Sequence, residues 1–355
     1  MVKFPAGQSH LPATPGNPIA PARIWYYGPF VTRTIAPSSR TLTRRAWLAA
    51  AGLAGACLAS AQPPEPSDDQ PIFSSNVRVV SLLATVATKK GEIVRDLTKD
   101  DFTLLEDGRP QSIRYFSRET DLPLTLGLLI DTSMSQEKVL DKERGASFRF
   151  IDQVLRDTKD QFFILQFDMG VYVRQKLTAS RKELDEALNY VDTPTRRELN
   201  MPSGAGTRLY DAVVVSSRDV MKDRHDRKAI IIMSDGVDTG SQATFAESLE
   251  VAQRNDTLIY SIYFSDSGAY FGGAPDGRGV LERLARETGG GFFEVTRKRP
   301  IEQIFATIQD ELRSQYSLGF VSDVPVTVHG FRKLQLTAKT KGLQVQARDR
   351  YWAAR

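Results

Sequence analysis

The sequence predicts an α/β fold: a doubly wound, mostly parallel sheet with one antiparallel edge strand, and beside it a small β-rich element from the flanking segments. Three observations predict it. Between 123 and 312, apolar runs of strand length alternate with stretches of helical periodicity, the pattern of a parallel sheet with crossover helices. The run LTLGLLID, ending at Asp131, is almost wholly apolar, as a strand covered on both faces requires. Over 77–119 and 315–352 the side chains instead alternate with period two.

The chain has 355 residues, enough for one large domain and a smaller element. Its apolar content of 41% and charged content of 25% are ordinary for a globular protein. The net charge of +4 arises at one end. Residues 1–61 hold six of the 47 basic residues (Lys3, Arg23, Arg33, Arg40, Arg44 and Arg45) and no Asp or Glu, which leaves 41 basic against 43 acidic side chains. The remainder is slightly acidic, so no electrostatic case exists for a nucleic-acid partner.

Residues 1–61 read as a leader with an export signal. Thr43-Arg44-Arg45-Ala46-Trp47-Leu48 opens the signal, Ala46 to Leu58 is apolar, and Ala59-Ser60-Ala61 is a small-residue cleavage site. The pattern is similar to a bacterial twin-arginine signal. Trp47 stands where Phe is usual and no Lys follows Leu48, which keeps the general secretory route open. The apolar stretch is shorter than the roughly 20 residues a spanning helix needs. Export would leave the mature chain periplasmic, secreted or envelope-associated. The segment ahead of the two arginines is long for such a signal and no Met separates Met1 from Met134, which points to a non-Met start near Val31. Cys57, the only cysteine, lies inside the signal, so the mature chain has no disulfide, thiolate metal site or Cys nucleophile. Lipidation of Cys57 stays open, although Ala54-Gly55-Ala56 lacks the usual Leu three residues upstream.

The remaining elements follow in order. Residues 62–76, rich in proline and otherwise polar, form a tether. Over 77–119, VRVVSLLATVAT, GEIVRDL, DFTLLEDG and QSIRYFSRE predict three or four antiparallel strands, with Asp107-Gly108 as a hairpin turn. After the strand ending at Asp131 come a helix, then FFILQFD and VYVRQKL as a hairpin around Met169-Gly170, and RKELDEALNYV as a helix. A Gly-rich loop at 203–206 leads into a helix from Thr207. The strand AIIIMSD (229–235), a helix from Thr244 to Ala252, the strand LIYSIYF (258–264), a helix over 278–288, the strand GFFEV and a helix to about Leu312 complete the α/β region. Beyond it, YSLGFV, RKLQLTAK and LQVQARDRYW are strands expected to pack with those of 77–119, so that the α/β domain is inserted between two halves of a β-element.

Three separated segments bring oxygen-bearing side chains to one edge of this sheet. Asp131, Ser133 and Ser135 follow the first parallel strand as D-x-S-x-S; Thr207 opens a helix; Asp235 ends a later strand in Ser234-Asp235-Gly236. Ligands of open α/β sheets bind outside the carboxyl ends of strands, where all three segments fall. Oxygen donors without His or Cys suit a hard cation such as Mg²⁺, with Mn²⁺ or Ca²⁺ as alternatives, and an open position on such an ion attracts an external anion. Each piece alone has a plainer reading. Ser133 with Gln136 fits a capping box, Thr207 fits a helix N-cap and Asp235-Gly236 fits a turn. Asp211, one helical turn beyond Thr207, either orients Thr207 or a water or is a packing carboxylate. The rim loop 265–279, SDSGAYFGGAPDGRG, carries Tyr270 and Phe271 as either ligand contacts or a solvent-exposed insertion.

Asp131-Thr132-Ser133-Met134-Ser135, Gly206-Thr207-Arg208-Leu209-Tyr210-Asp211 and Ser234-Asp235-Gly236 resemble the three parts of the metal-ion-dependent adhesion site of von Willebrand factor A domains, whose fold is Rossmann-like. The resemblance covers about 123–312. The flanks DLTKDDFTLLEDGRPQSIRYF and SQYSLGF…FRKLQL…LQVQARDRYW resemble a bacterial, largely Acidobacterial, group of related proteins. The resemblance implies that Asp131, Ser133 and Ser135 hold the ion through side-chain oxygens. It implies too that Thr207 and Asp235 bind directly or through water, and that a carboxylate of a protein or other macromolecular partner completes the shell. Met134 stands where Gly is common and Ser234 where Thr is common; neither is a ligand position.

Catalysis is not the expectation. A phosphatase of the haloacid dehalogenase type needs a second Asp two residues after the first, and Ser133 occupies that place. No G-x-S-x-G elbow occurs, and His225 and His329 stand in no motif. Two-metal hydrolysis needs more carboxylates than the cluster offers. The expected function is cation-dependent adhesion or binding without a small-molecule substrate, the rival being a structural envelope component that never uses the ion.

Overall fold

The computed structural model describes residues 25–26, 79–118, 122–156, 158–195, 206–224, 226–264, 276–325 and 327–353. The expected signal, the tether, His225 and the pair Tyr270 and Phe271 lie outside them. The strands are β1 (Trp25–Tyr26), β2 (Val79–Thr88), β3 (Phe102–Glu106), β4 (Arg109–Gln111), β5 (Ile113–Ser117), β6 (Leu124–Asp131), β7 (Gln161–Phe167) and β8 (Val171–Thr178). They continue as β9 (Arg227–Ser234), β10 (Thr257–Tyr263), β11 (Phe292–Glu294), β12 (Tyr316–Val321), β13 (Gly330–Ala338), β14 (Leu343–Ala347) and β15 (Arg350–Ala353). The α-helices are α1 (Leu140–Val154), α2 (Arg181–Asn189), α3 (Leu209–Val214), α4 (Phe245–Arg254), α5 (Gly277–Thr288) and α6 (Ile301–Leu312).

The α/β region is built on a mostly parallel sheet in the order β1-β8-β7-β6-β9-β10-β11. Only the β7–β8 pair, the hairpin around Met169-Gly170, is antiparallel. Every residue of β6 and of β9 is buried, because these adjacent strands form the middle of the sheet and are covered on both faces. On one face Leu126, Leu128 and Ile130 pack with Phe150 of α1, Leu188 of α2 and Phe305 of α6. On the other, Leu129 and Leu165 pack with Val213 of α3, Ala252 of α4 and Leu284 of α5. Asp160 anchors the start of β6: it accepts the Leu124 amide at 3.0 Å and pairs with Arg156 at 3.0 Å and Arg313 at 2.5 Å.

The flanking segments form two four-stranded sheets, β14-β2-β12-β5 and β15-β13-β3-β4. They share one core containing Leu82, Val86, Phe102, Leu104, Phe320 and Leu336. Asp107 (φ 48°) and Gly108 (φ 81°) both adopt the left-handed conformation of a tight two-residue hairpin turn between β3 and β4. The GEIVRDL stretch, expected as a strand, makes only one isolated bridge, Ala87 to Ile93. The Tyr316 hydroxyl donates to the Val94 carbonyl at 2.9 Å and accepts from the Leu97 amide at 3.1 Å, holding backbone groups that a ladder would have used. Among the described residues no helix is long and apolar enough to cross a membrane.

Candidate metal centre

β6 and β9 run side by side in register up to Ile130 and Met233, so their next residues, Asp131 and Ser234, meet at the carboxyl edge. The Ser234 hydroxyl donates to Asp131 Oδ2 at 2.5 Å, and Asp131 Oδ1 accepts the Ser133 amide at 2.9 Å. From there a series of short contacts crosses to the other strand. Ser133 Oγ lies 3.1 Å from Ser135 Oγ, and Ser135 Oγ donates to Asp235 Oδ2 at 2.6 Å. The structure therefore brings together Asp131, Ser133, Ser135 and Asp235, from two segments about one hundred residues apart.

The surrounding turns are held by contacts that leave these oxygens facing one another. Thr132 donates its amide to the Phe167 carbonyl at 3.0 Å and its hydroxyl to Asp168 Oδ2 at 2.8 Å. Asp168 also accepts from Gln166 Nε2 and the Gly170 amide, and its carbonyl receives the Arg208 amide, so it ties the 131–135 loop to the segment bearing Thr207. Asp235 Oδ1 accepts the Val237 amide at 3.0 Å, closing the turn at Gly236. Gly236 has φ +77°, and a Cβ there would stand 2.1 Å from the Gly277 carbonyl oxygen. The start of α5 thus presses directly on the turn that carries Asp235.

Two of the plainer readings do not match this geometry. Ser133 makes no side-chain cap; only a short 3₁₀ turn, Met134–Gln136, follows it, and α1 begins at Leu140. The helix expected from Thr207 begins at Leu209, and its Tyr210 amide is received by Asp238 at 3.1 Å, so Thr207 is not its cap. Thr207 is strapped in place through its backbone: its amide donates to Thr239 Oγ1 at 2.9 Å and its carbonyl accepts the Thr239 and Gly240 amides. Among the described residues no hydrogen bond joins its hydroxyl to the other four side chains. Among the described residues no hydrogen bond joins the Asp211 side chain to Thr207. Its oxygens accept the Gln242 amide at 3.1 Å and the Ala243 amide at 2.9 Å, with Arg208 3.3 Å away, so it braces the turn before α4. That contact set fits the packing carboxylate, one of its two expected roles.

Sequence reasoning missed Glu143. It belongs to the inward stripe of α1 with Leu140, Ala146, Ser147 and Phe150, and that spacing was the signal that would have found it. Glu143 is fully buried, and among the described residues neither carboxylate oxygen has a hydrogen-bond partner. Burial, then the charges of Asp131 and Asp235, push its pKa well above the usual carboxylate range. Burial likewise raises Asp131 to about 7, aided by Asp235 and opposed by the hydrogen bonds from Ser234 and Ser133. Among the described residues no cationic side chain is within reach of either group to offset this clustering of negative charge.

No group of three or more His, Cys, Asp or Glu side chains with metal-binding spacing occurs among the described residues. The convergent set is instead two carboxylates and two hydroxyls, with Glu143 buried behind them. Such an oxygen-only, electronegative set fits a hard divalent cation, and Glu143's unpartnered oxygens are the observation that most needs a positive charge nearby.

No protein-family model matches the sequence. No curated protein matches it. Among solved structures, the chain is similar to a conserved hypothetical protein BatB from Bacteroides thetaiotaomicron, at 14% identity and TM-score 0.41, over 54% of this chain and 100% of that one. It is similar to proximal thread matrix protein 1 from the mussel byssus, solved with a zinc-occupied MIDAS motif, at 13% identity and TM-score 0.43, over 58% of this chain and 48% of that one. It is also similar to the vWF domain of the type V pili tip protein Mfa5 from Porphyromonas gingivalis, at 11% identity and TM-score 0.43, over 53% of this chain and 94% of that one. At that level of likeness, nothing about metal, partner or cellular location transfers to this chain.

Proposed function

We propose that this chain is an exported, non-catalytic binding protein of the von Willebrand factor A type, allied to the Acidobacterial group its flanks resemble. In this reading Asp131, Ser133, Ser135, Thr207 and Asp235 hold one divalent cation, Mg²⁺ first among the candidates. The observation that carries it is the unbroken series of contacts from Asp131 through Ser133 and Ser135 to Asp235 at the carboxyl ends of β6 and β9. When bound, the ion supplies positive charge and an open coordination position to a carboxylate on a protein or other macromolecular partner. The chain's own residues do the positioning: Ser234 holds Asp131, Asp168 holds the 131–135 loop, and Gly236 lets α5 close against the Asp235 turn. A doubly wound arrangement belongs to the same reading and is supported by the two separate helix-lined cores on the faces of the sheet.

Calorimetric titration of the metal-stripped full chain with Mg²⁺ and with Mn²⁺, alongside Asp131→Ala, tests this. One ion bound by the wild type and none by a folded variant is the expected result. A well-folded wild type that takes up neither ion would remove the mechanism and leave a structural envelope component as the better reading.

A further inference from the structure

A second polar site lies at the opposite ends of the parallel strands, roughly 20 Å from the candidate metal centre along β9. It is a cavity of about 430 Å³, within the range of small-molecule sites, between the parallel sheet and the flanking β-sheets. Lys228 and Thr257 from the strand starts, Gln253 and Asp256 from the end of α4, Ser81 of β2, and Arg348 between β14 and β15 are among its walls.

The chemistry of these walls is unbalanced. Lys228 is only 8% exposed, and among the described residues no carboxylate comes within ion-pair distance of it. Two carboxylates also line the cavity, and both are paired: Asp226 with Arg224 at 2.6 Å and Asp256 with Arg348 Nη1 at 3.3 Å. Arg348 donates Nη2 to the Ser81 carbonyl, while its Nε finds no acceptor. Gln253 donates Nε2 to the Glu287 carbonyl at 2.6 Å, while its Oε1 finds no donor. Burial lowers the pKa of Lys228, against the attraction of Asp256 and Asp226, and that of Arg348, against the attraction of Asp256, the cost of enclosing cations without a full set of partners. Ser81 and Asp256 are exposed, so the cavity is reachable from solvent.

We propose that this cavity binds a small oxyanion, a carboxylate or a phosphate, whose charge is met by Lys228 and Arg348. One wall belongs to the parallel sheet and the other to the flanking sheets, so an occupant bridges them and raises the unfolding temperature.

Scanning calorimetry of the full chain, dialysed free of divalent ions and held at constant ionic strength with chloride, tests the proposal with inorganic phosphate, succinate and glycolate as probes. The expected result is a rise on the order of 5 °C at saturation with at least one probe. A response to phosphate alone assigns phosphate, and a response to succinate or glycolate assigns a carboxylate. Lys228→Met is expected to melt higher than the wild type without probe, because a buried charge is gone, and to lose the probe-dependent rise. Arg348→Gln, a second variant that leaves Lys228 in place, is expected to require about tenfold more probe for the same rise. A wild type indifferent to all three probes, or both variants responding as the wild type does, would overturn the proposal.

Discussion

Asp131 and Glu143 are the residues at which burial and charge most disagree. Asp131 is buried at the end of a central strand with Asp235 close by, and in the absence of a cation its pKa is about 7. A carboxyl whose folded pKa exceeds its unfolded value binds the extra proton in the native state. Its contribution to stability is therefore complete below the ordinary carboxylate pKa of about 4 and is lost as pH rises through about 7. Glu143, raised for the same reasons, acts in the same direction. The metal-stripped protein is expected to melt at progressively lower temperature as pH is raised across that window, and the gain produced by Mg²⁺ to grow over the same interval. Melting curves from pH 4 to 8 with and without Mg²⁺ check this, and a flat profile would contradict it. Glu143→Gln keeps the volume and removes a buried group that must either hold a proton or carry an unpaired charge. It should raise the melting temperature of the metal-stripped protein at pH 8 and weaken Mg²⁺ binding by about tenfold or more, read by calorimetry. Asp131, Ser133, Ser135 and Asp235 are legible because their spacing is a pattern; Glu143 is legible only as a position on the inward stripe of α1, and its acidity argues against burial because a single acidic residue in a helix is ordinarily solvated.

Among the elements, turns and helix starts decide where the oxygens go. Ser133-x-x-Gln136 and Thr244-x-x-Glu247 carry the same local signature, yet only the second is a working capping box: Thr244 accepts the Glu247 amide at 3.2 Å and Glu247 accepts the Thr244 amide at 2.7 Å. At the first, the Ser133 hydroxyl is committed to Ser135 and the α-helix starts later. The difference comes from Asp235, the residue after β9, which accepts from Ser135 across the sheet edge. The same reasoning applies to Gly277. A Cβ on it would stand 2.2 Å from the Asp235 carbonyl oxygen, a backbone atom with little freedom to move. Gly277→Ala is expected to destabilise the fold by about 1–3 kcal/mol, in the range of overpacked sites, and to lower cation affinity by displacing Asp235. Chemical denaturation and calorimetric titration of the variant measure the two effects; unchanged affinity would show that the α5 contact does not position the site.

For the whole molecule, the topology makes the two ends of the described chain interdependent. β12 lies between β2 and β5, and β14 covers the other edge of β2, so among the described residues both strand partners of β2 come from the far end of the chain, and its own end supplies only the isolated bridge Ala87 to Ile93. Deleting residues 315–355 removes both neighbours of β2 and also takes β13 from β3. The shortened chain is expected to expose what remains of the shared core, around Leu82 and Phe102, bind a hydrophobic dye and melt less cooperatively than the full chain. A sharp wild-type-like melt would show that the β-sheets are not needed for the fold. The sequence by itself determined the class of each region, the strand at Asp131, the hairpin turn at Asp107-Gly108 and the oxygen pattern of the site, because periodicity, turn chemistry and motif spacing are properties of near neighbours. Tertiary structure alone decided which strands share a sheet, that Asp211 braces a turn, that Glu143 is buried behind Asp131, and that Lys228 faces a cavity without a partner. Those outcomes depend on atoms tens to hundreds of residues apart, whose meeting is set by register and packing rather than by any local preference.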